Sequence, residues 1–325
     1  MTEKQIPPPP VLQPSSLPTL QPSNPPTFQP SKFFDESFLR RLDRLSLIAR
    51  RIRTGRSQGE RRSTKRGSSV EFADYRNYTP GDDLRRLDWR IYARLERPFI
   101  KLFEEEEEQS VYFLLDASAS MDWPEGDEAR NKWDFARRLV AALGYIALAS
   151  GDRLTLASLA TTGSWRWGPQ RGRGHIHGLL NQLTAQSAAG PTDLNDSLRR
   201  FSLTRQRPGL LFLLTDFFSP AGYERGLAAL AGAGYEVNVL HLLAPDEIDP
   251  PLNGDLRLHD IETGLAQDVT ITPALQRLYR DHFAAWRNQI EQYCFARDMN
   301  YLTLETSIPF ETVILGYLRQ RGFLK

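Results

Sequence analysis

Val111-Tyr-Phe-Leu-Leu-Asp-Ala-Ser-Ala-Ser120 is the stretch whose reading decides the fold. Its apolar residues run unbroken into Asp116, and Ser118 and Ser120 follow at alternate positions. A continuous apolar run closed by a polar turn reads as a strand buried on both faces, central in a parallel sheet. Residues just past the C-terminal end of such a strand stand where open α/β sheets place their ligands. One carboxylate and two hydroxyls there make an all-oxygen donor set of the kind Mg²⁺ takes. The same residues also suit a helix start with Ser or Asp as its N-cap.

Two later stretches extend the pattern. Gly190-Pro-Thr192 precedes a helical pattern and offers a third hydroxyl, and Leu210-Leu-Phe-Leu-Leu-Thr-Asp216 is a second buried strand ending in a carboxylate. Asp-x-Ser-x-Ser, a distant Thr and a distant strand-end Asp resemble the metal-ion-dependent adhesion site of von Willebrand factor type A domains. The likeness runs from about Ser110 to the C-terminus. It implies an α/β fold: a Rossmann-like, mostly parallel sheet with helices on both faces. It further implies a Mg²⁺ or Mn²⁺ ion reached by the hydroxyls of Ser118, Ser120 and Thr192, with Asp116 and Asp216 holding it directly or through water. Pro191 stands where that family usually has Gly, which alters the loop but not the ligand.

Outward from the centre, Lys132 to Ala149 carries apolar residues on most sides and suits a helix buried against a sheet. Arg153–Ala160 reads as a strand, Trp165 and Trp167 share one face of a short strand or hairpin, and Gly174–Leu183 reads as helical. Helices follow at Leu194–Leu203 and Tyr223–Ala231, and a strand at Tyr235–Leu242. Alternation of this kind is the signature of a parallel sheet covered on both faces. Residues 245–270 look irregular, with a hairpin at Arg257–Val269. Pro273 opens a long helix, Tyr301–Leu304 gives an edge strand, and Pro309–Arg319 a closing helix. His175 and His177 diverge on a helix, and no cysteine or carboxylate beside them completes a zinc set. Trp123, just after the metal loop, is a candidate partner contact.

Toward the N-terminus, Leu12-Gln-Pro-Ser, Leu20-Gln-Pro-Ser and Phe28-Gln-Pro-Ser recur in a Pro-rich stretch. Residues 1–32 therefore read as a disordered tail that buries no core. Asp35 to Arg53 has a helical stripe of Phe38, Leu42, Leu45, Ala49 and Ile52. Arg50–Arg66 is strongly basic but lacks aromatics for base stacking, which reads against nucleic acid and for a solvated or partner-contact run. Glu104–Glu108 is an acidic run of the solvated kind. This gives three parts: the tail 1–32, a region 33–109 and an α/β domain 110–325.

Within the second part stand Glu71-Phe72, Arg76-x-Tyr78, Pro80-Gly-Asp-Asp83, Arg85, Asp88-Trp89 and Ala93-Arg94. Structurally they read as a turn and a short helix. Functionally, Asp82, Asp83, Arg85, Asp88 and Arg94 read as a partner surface. Placed before a type A domain, these residues look like the bacterial family catalogued as domain of unknown function 58, a likeness covering about Leu39 to Arg321. It implies a link to MoxR-type AAA+ ATPases.

The composition is that of an ordinary soluble protein, 40% hydrophobic and 25% charged, with a net charge of +1 that selects neither nucleic acid nor membrane. The single cysteine, Cys294, excludes an internal disulfide. Apolar runs are strand-length, well short of the roughly 20 residues of a membrane helix, and the N-terminus has no signal-peptide core. A cytoplasmic protein without a membrane span is the expectation. The function expected is a metal-dependent protein-interaction module, without enzymatic activity, that docks an acidic residue of a client or of a MoxR-type ATPase. The alternative is a metal-dependent hydrolase using Asp116 and Asp216, but the sequence has neither a Gly-x-Ser-x-Gly elbow nor a Walker-type loop.

Overall fold

Along Ser110–Asp116, alternate side chains enter two different hydrophobic cores: Val111, Phe113 and Leu115 one, Tyr112 and Leu114 the other. The neighbouring strand repeats the division, with Leu210, Phe212 and Leu214 on the first side and Leu211 and Leu213 on the second. This period-2 split is why both stretches are apolar throughout.

The computed structural model describes residues 34, 36–47, 70–79, 87–105, 109–161, 163–204, 206–259, 266–319 and 324. In chain order the elements are α1 (Glu36–Leu42), β1 (Val70–Asn77), α2 (Trp89–Leu95), β2 (Phe99–Glu105), β3 (Ser110–Asp116), α3 (Lys132–Ala149), β4 (Arg153–Leu159), β5 (Arg166–Arg171) and α4 (Ile176–Thr184). There follow α5 (Leu194–Ser202), β6 (Leu210–Thr215), α6 (Glu224–Gly232), β7 (Glu236–Leu243), α7 (Pro245–Ile248), β8 (Gly254–His259), β9 (Ala266–Ile271), α8 (Pro273–Phe295), β10 (Asn300–Glu305) and α9 (Phe310–Thr312). The last runs on into a π-helical turn, Val313–Leu318.

The main sheet has six strands in the order β10-β7-β6-β3-β4-β5, all parallel except the antiparallel edge strand β5. Helices α3 and α4 cover one face and α5, α6 and α8 the other. The expected α/β class, a mostly parallel sheet between helices, is what the chain forms. From β3 the chain winds outward to β4 and β5, then returns to the other side of β3 for β6, β7 and β10. The order therefore reverses between β3 and β6, and a crevice opens there beyond their C-terminal ends. β6 lies tight against β3: a Cβ at Gly209 would fall 2.1 Å from the Ser110 carbonyl oxygen.

Helix α1 belongs to the first core. Phe34, Phe38, Leu42 and Leu47 are buried there with Phe310, Leu318 and Leu324, and the rings of Phe38 and Phe310 meet edge-on at 5.4 Å. Part of the region 33–109 thus shares the core of 110–325. Beside it, β1 and β2 form a separate antiparallel pair, and α2 buries none of its residues.

Three expectations are revised. The helix expected over Asp35–Arg53 ends at Leu42 in the described part, and residues 48–69, with the basic run, lie outside it. The stretch 245–270 is not wholly irregular, because Pro245 starts the short α7 before the β8–β9 hairpin. The closing helix widens into a π turn after Thr312. The tail 1–32 lies outside the described residues. Among those described, no helix is long and apolar enough to cross a membrane.

Candidate metal and docking site

The site sits in the crevice between β3 and β6. After Asp116 the chain turns sharply, because the Ser118 N–H donates to Asp116 Oδ1 at 3.1 Å and Ala119–Met121 closes a 3-10 turn. Asp116 Oδ2 accepts a 2.6 Å bond from Thr215 Oγ1 on the neighbouring strand. Both oxygens of this buried carboxylate are thereby aimed. Ser118 Oγ and Ser120 Oγ lie 3.0 Å apart on the same turn.

Backbone bonds bring Thr192 alongside. The Ala119 N–H donates to the Gly190 carbonyl at 2.8 Å, and the Ala189 N–H to the Ala117 carbonyl at 2.9 Å. Thr192 Oγ1 then donates to the Leu159 carbonyl at 3.0 Å, which uses its proton and leaves its lone pairs free. Ser219 Oγ ties the β6 loop in, donating to the Thr192 carbonyl at 3.1 Å. The five residues Asp116, Ser118, Ser120, Thr192 and Asp216 are thus carried by three loops that hydrogen bonds hold at the sheet's C-terminal edge.

The β6 side is built differently. Phe217 adopts the left-handed conformation, φ 60°, uncommon for a bulky residue, and its N–H donates to Thr215 Oγ1 at 3.0 Å. Asp216 Oδ1 accepts the Phe218 N–H at 3.0 Å, and Oδ2 accepts Lys132 Nζ at 2.6 Å. The same ammonium donates to Glu247 Oε1 and lies 5.0 Å from the centre of the Phe218 ring. Lys132 is 0% exposed. It stands at the first position of α3, where the helix dipole disfavours a cation, so the two carboxylates are what hold it there. Burial alone would lower its pKa, but Asp216 and Glu247 outweigh that and leave it raised. Glu247 is itself held high by burial, against the pull of Lys132.

Behind Asp216 lies a neutral chain of hydrogen bonds. His241, wholly buried on β7, faces the Asp216 carbonyl with Nε2 at 3.1 Å and Tyr301 Oη with Nδ1 at 2.6 Å. A carbonyl only accepts, so Nε2 carries the proton and Nδ1 accepts from the tyrosine. Burial pushes the imidazole pKa down to about 3 and keeps this tautomer uncharged.

These residues fit a divalent cation. The buried Asp116 and Asp216 and the partly buried Glu247 stand with one ammonium, a formal excess of two negative charges. Burial first, and the charge of Asp216 second, push the Asp116 pKa up to about 6. The two serine oxygens, 3.0 Å apart and hydrogen-bonded to one another, would both offer lone pairs to such an ion. Asp116, Ser118, Ser120 and Thr192 supply oxygens with free lone pairs. Asp216 differs in that its Oδ2 is paired with the Lys132 ammonium, so a direct contact with a cation there requires that pair to open.

The partner residues expected from the sequence divide. Trp123 stands at the site, 40% exposed, and its carbonyl accepts the Lys132 N–H at 2.9 Å. Asp88 is turned inward instead of offering a surface: it caps α2, with Oδ1 accepting the Arg90 and Ile91 N–H groups and Oδ2 the Tyr75 hydroxyl. Arg94 is exposed on the last turn of α2. Asp82, Asp83 and Arg85 lie outside the described residues. Sequence reasoning missed Lys132, Glu247, His241 and Thr215. One signal for Lys132 was available: a cation at the start of an otherwise apolar helix, where the dipole opposes it.

The family model described as a protein of unknown function, DUF58, matches residues 74–290. An uncharacterized protein of Mycobacterium tuberculosis is 29% identical over 263 residues, covering 79% of this chain and 82% of its own. Among solved structures, the conserved hypothetical protein BatB from Bacteroides thetaiotaomicron aligns with TM-score 0.40 and 16% identity, over 65% of this chain and 98% of that one. The SpRpn10 VWA domain aligns with TM-score 0.38 and 10% identity, over 64% and 94%.

Proposed function

We propose that this chain, which belongs to the DUF58 family, is a protein-interaction module that docks an acidic side chain of its partner at a bound Mg²⁺ or Mn²⁺ ion. The observation that carries this reading is the convergence of Asp116, Ser118, Ser120 and Thr192 with Asp216 at the reversal point of the sheet. When bound, the cation supplies an electrophilic position that an incoming carboxylate completes. Asp116 anchors it, its two oxygens aimed by Ser118 and Thr215. The serine and threonine hydroxyls would contribute oxygens without charge, leaving a coordination position open to a partner's carboxylate. Trp123 and Phe218, both exposed, would offer apolar surface to the partner.

The partner in this reading is a MoxR-type AAA+ ATPase or its protein client, met in the cytoplasm, with binding and no turnover. The chemistry of that surface and the cation accounts for the mode of attachment. The family likeness suggests the ATPase.

The test is binding of the purified protein to such an ATPase with nucleotide present, comparing the wild type with folded Asp116→Ala and Thr192→Ala variants. Loss of binding in the variants supports metal docking, whereas full-strength binding by the double variant overturns it. A phosphatase and esterase screen with and without Mg²⁺ tests the absence of turnover.

A further inference from the structure

Lys132 is a buried cation already resident at a site that fits a second one. Its ammonium and a divalent metal draw on the same carboxylate, Asp216, whose Oδ2 lies 2.6 Å from Nζ. Glu247 is built to take the ammonium over. Its Oε2 accepts the Ala244 N–H at 2.8 Å, which aims the side chain, and its backbone carbonyl accepts the Tyr279 hydroxyl at 2.5 Å, which ties the residue to α8. The remaining direction of Nζ faces the Phe218 ring, which tolerates a cation but does not neutralise it.

We propose that Lys132 and Glu247 form a charge-balancing pair that sets the affinity of the site for a divalent cation: Lys132 holds Asp216 without metal and passes to Glu247 when metal arrives. This rests on the metal reading above. With both present the site keeps a formal charge of −2, matched to one divalent ion. Without Glu247 the charge falls to −1 and Lys132 has only Asp216 to pair with, so metal and ammonium compete directly. Without Lys132 the charge is −3. Without both it returns to −2. The pair also links the site to α7 and, through Tyr279, to α8.

The experiment is calorimetric titration of the full chain with MgCl₂ and MnCl₂ after EDTA treatment. Glu247→Gln is expected to weaken binding at least about tenfold. Lys132→Met is expected to tighten it by about the same factor, and the double variant to lie within about threefold of the wild type. Lys132→Met is the variant at risk of not folding without metal. The ¹⁵N resonance of the Lys132 ammonium in the wild type therefore gives a second measurement, expected to move on Mg²⁺ addition as Asp216 is released. Wild-type binding that folded Glu247→Gln leaves unchanged, or an ammonium resonance unmoved at saturating Mg²⁺, overturns the proposal and spares the metal reading. A wild-type protein that takes up neither metal overturns both.

Discussion

The two walls of the crevice solve different problems. The wall made by the β3 turn and the Thr192 loop is nearly neutral: one carboxylate, three hydroxyls and backbone groups, each aimed by a short hydrogen bond. The wall made by β6, α3 and α7 is charged, with Asp216 and Glu247 closed around a lysine that solvent does not reach. Oxygens on the first wall stay ready for a ligand, while the second already has an ion in place. The contrast teaches that a buried charge cluster can be self-sufficient beside a site that is not.

The sharpest way to break this contrast is to remove the resident ion. Lys132→Met leaves the buried Asp216 and the partly buried Glu247 without their cation and should cost about 3 kcal/mol in the absence of metal, read from urea unfolding in EDTA. A loss below about 1 kcal/mol would mean that the charged wall is not self-sufficient. The next largest effect belongs to the neutral wall. Mg²⁺ at a hundredfold excess over its Kd should add about 2.7 kcal/mol to wild-type stability, and Asp116→Ala should abolish that gain. An equal rise in melting temperature in both proteins would place the cation elsewhere.

Ser118→Ala separates the two roles further. Its loss of stability without metal should be about 1 kcal/mol, because the Ser118 hydroxyl meets Ser120 and also supports the Asp116 carboxylate. Its Mg²⁺ affinity should fall by more than that energy implies. The smallest effect comes from an acid with no such wall around it. Burial pushes Asp152 up to about 7, with Arg171 pulling the other way. An acid raised on folding binds its proton more tightly in the native state, so its ionisation disfavours the fold as pH climbs from about 4 to about 7. Asp152→Asn should therefore match the wild type near pH 4 and exceed it at pH 8 by about 1 kcal/mol, allowing for its partial exposure. Thermal unfolding across that range checks it, and a pH-independent difference would count against burial as the cause.

The neutral wall was legible because its signals are local. An unbroken apolar strand places Asp116 at a fixed edge, and Ser118 and Ser120 follow within one turn. The second strand places Asp216 by the same rule. The charged wall was not legible, since Lys132 meets partners 84 and 115 residues away and nothing near it in the chain names them. Helix α7, which carries Glu247, is one turn long and gives periodicity no room to show. Asp88 shows the opposite failure: a carboxylate before an aromatic helix looked like a surface and proved to be the cap that starts it. The stripe on α1 was visible as an apolar face, but the sequence could not say that residues near 310–324 would cover it.

That last contact has a consequence for how the chain acquires its shape. Phe38 and Leu42 leave the ribosome early, while Phe310, Leu318 and Leu324 are made only after every strand of the main sheet. Leu47 even pairs with Leu324 as an isolated bridge, so the joint closes across nearly the whole described chain. Helix α1 therefore completes its docking late, because only part of the surface it needs, the side of α3 with Tyr145, exists before residues 310–324 are made. During synthesis its apolar face is open to whatever else binds such faces, chaperones included.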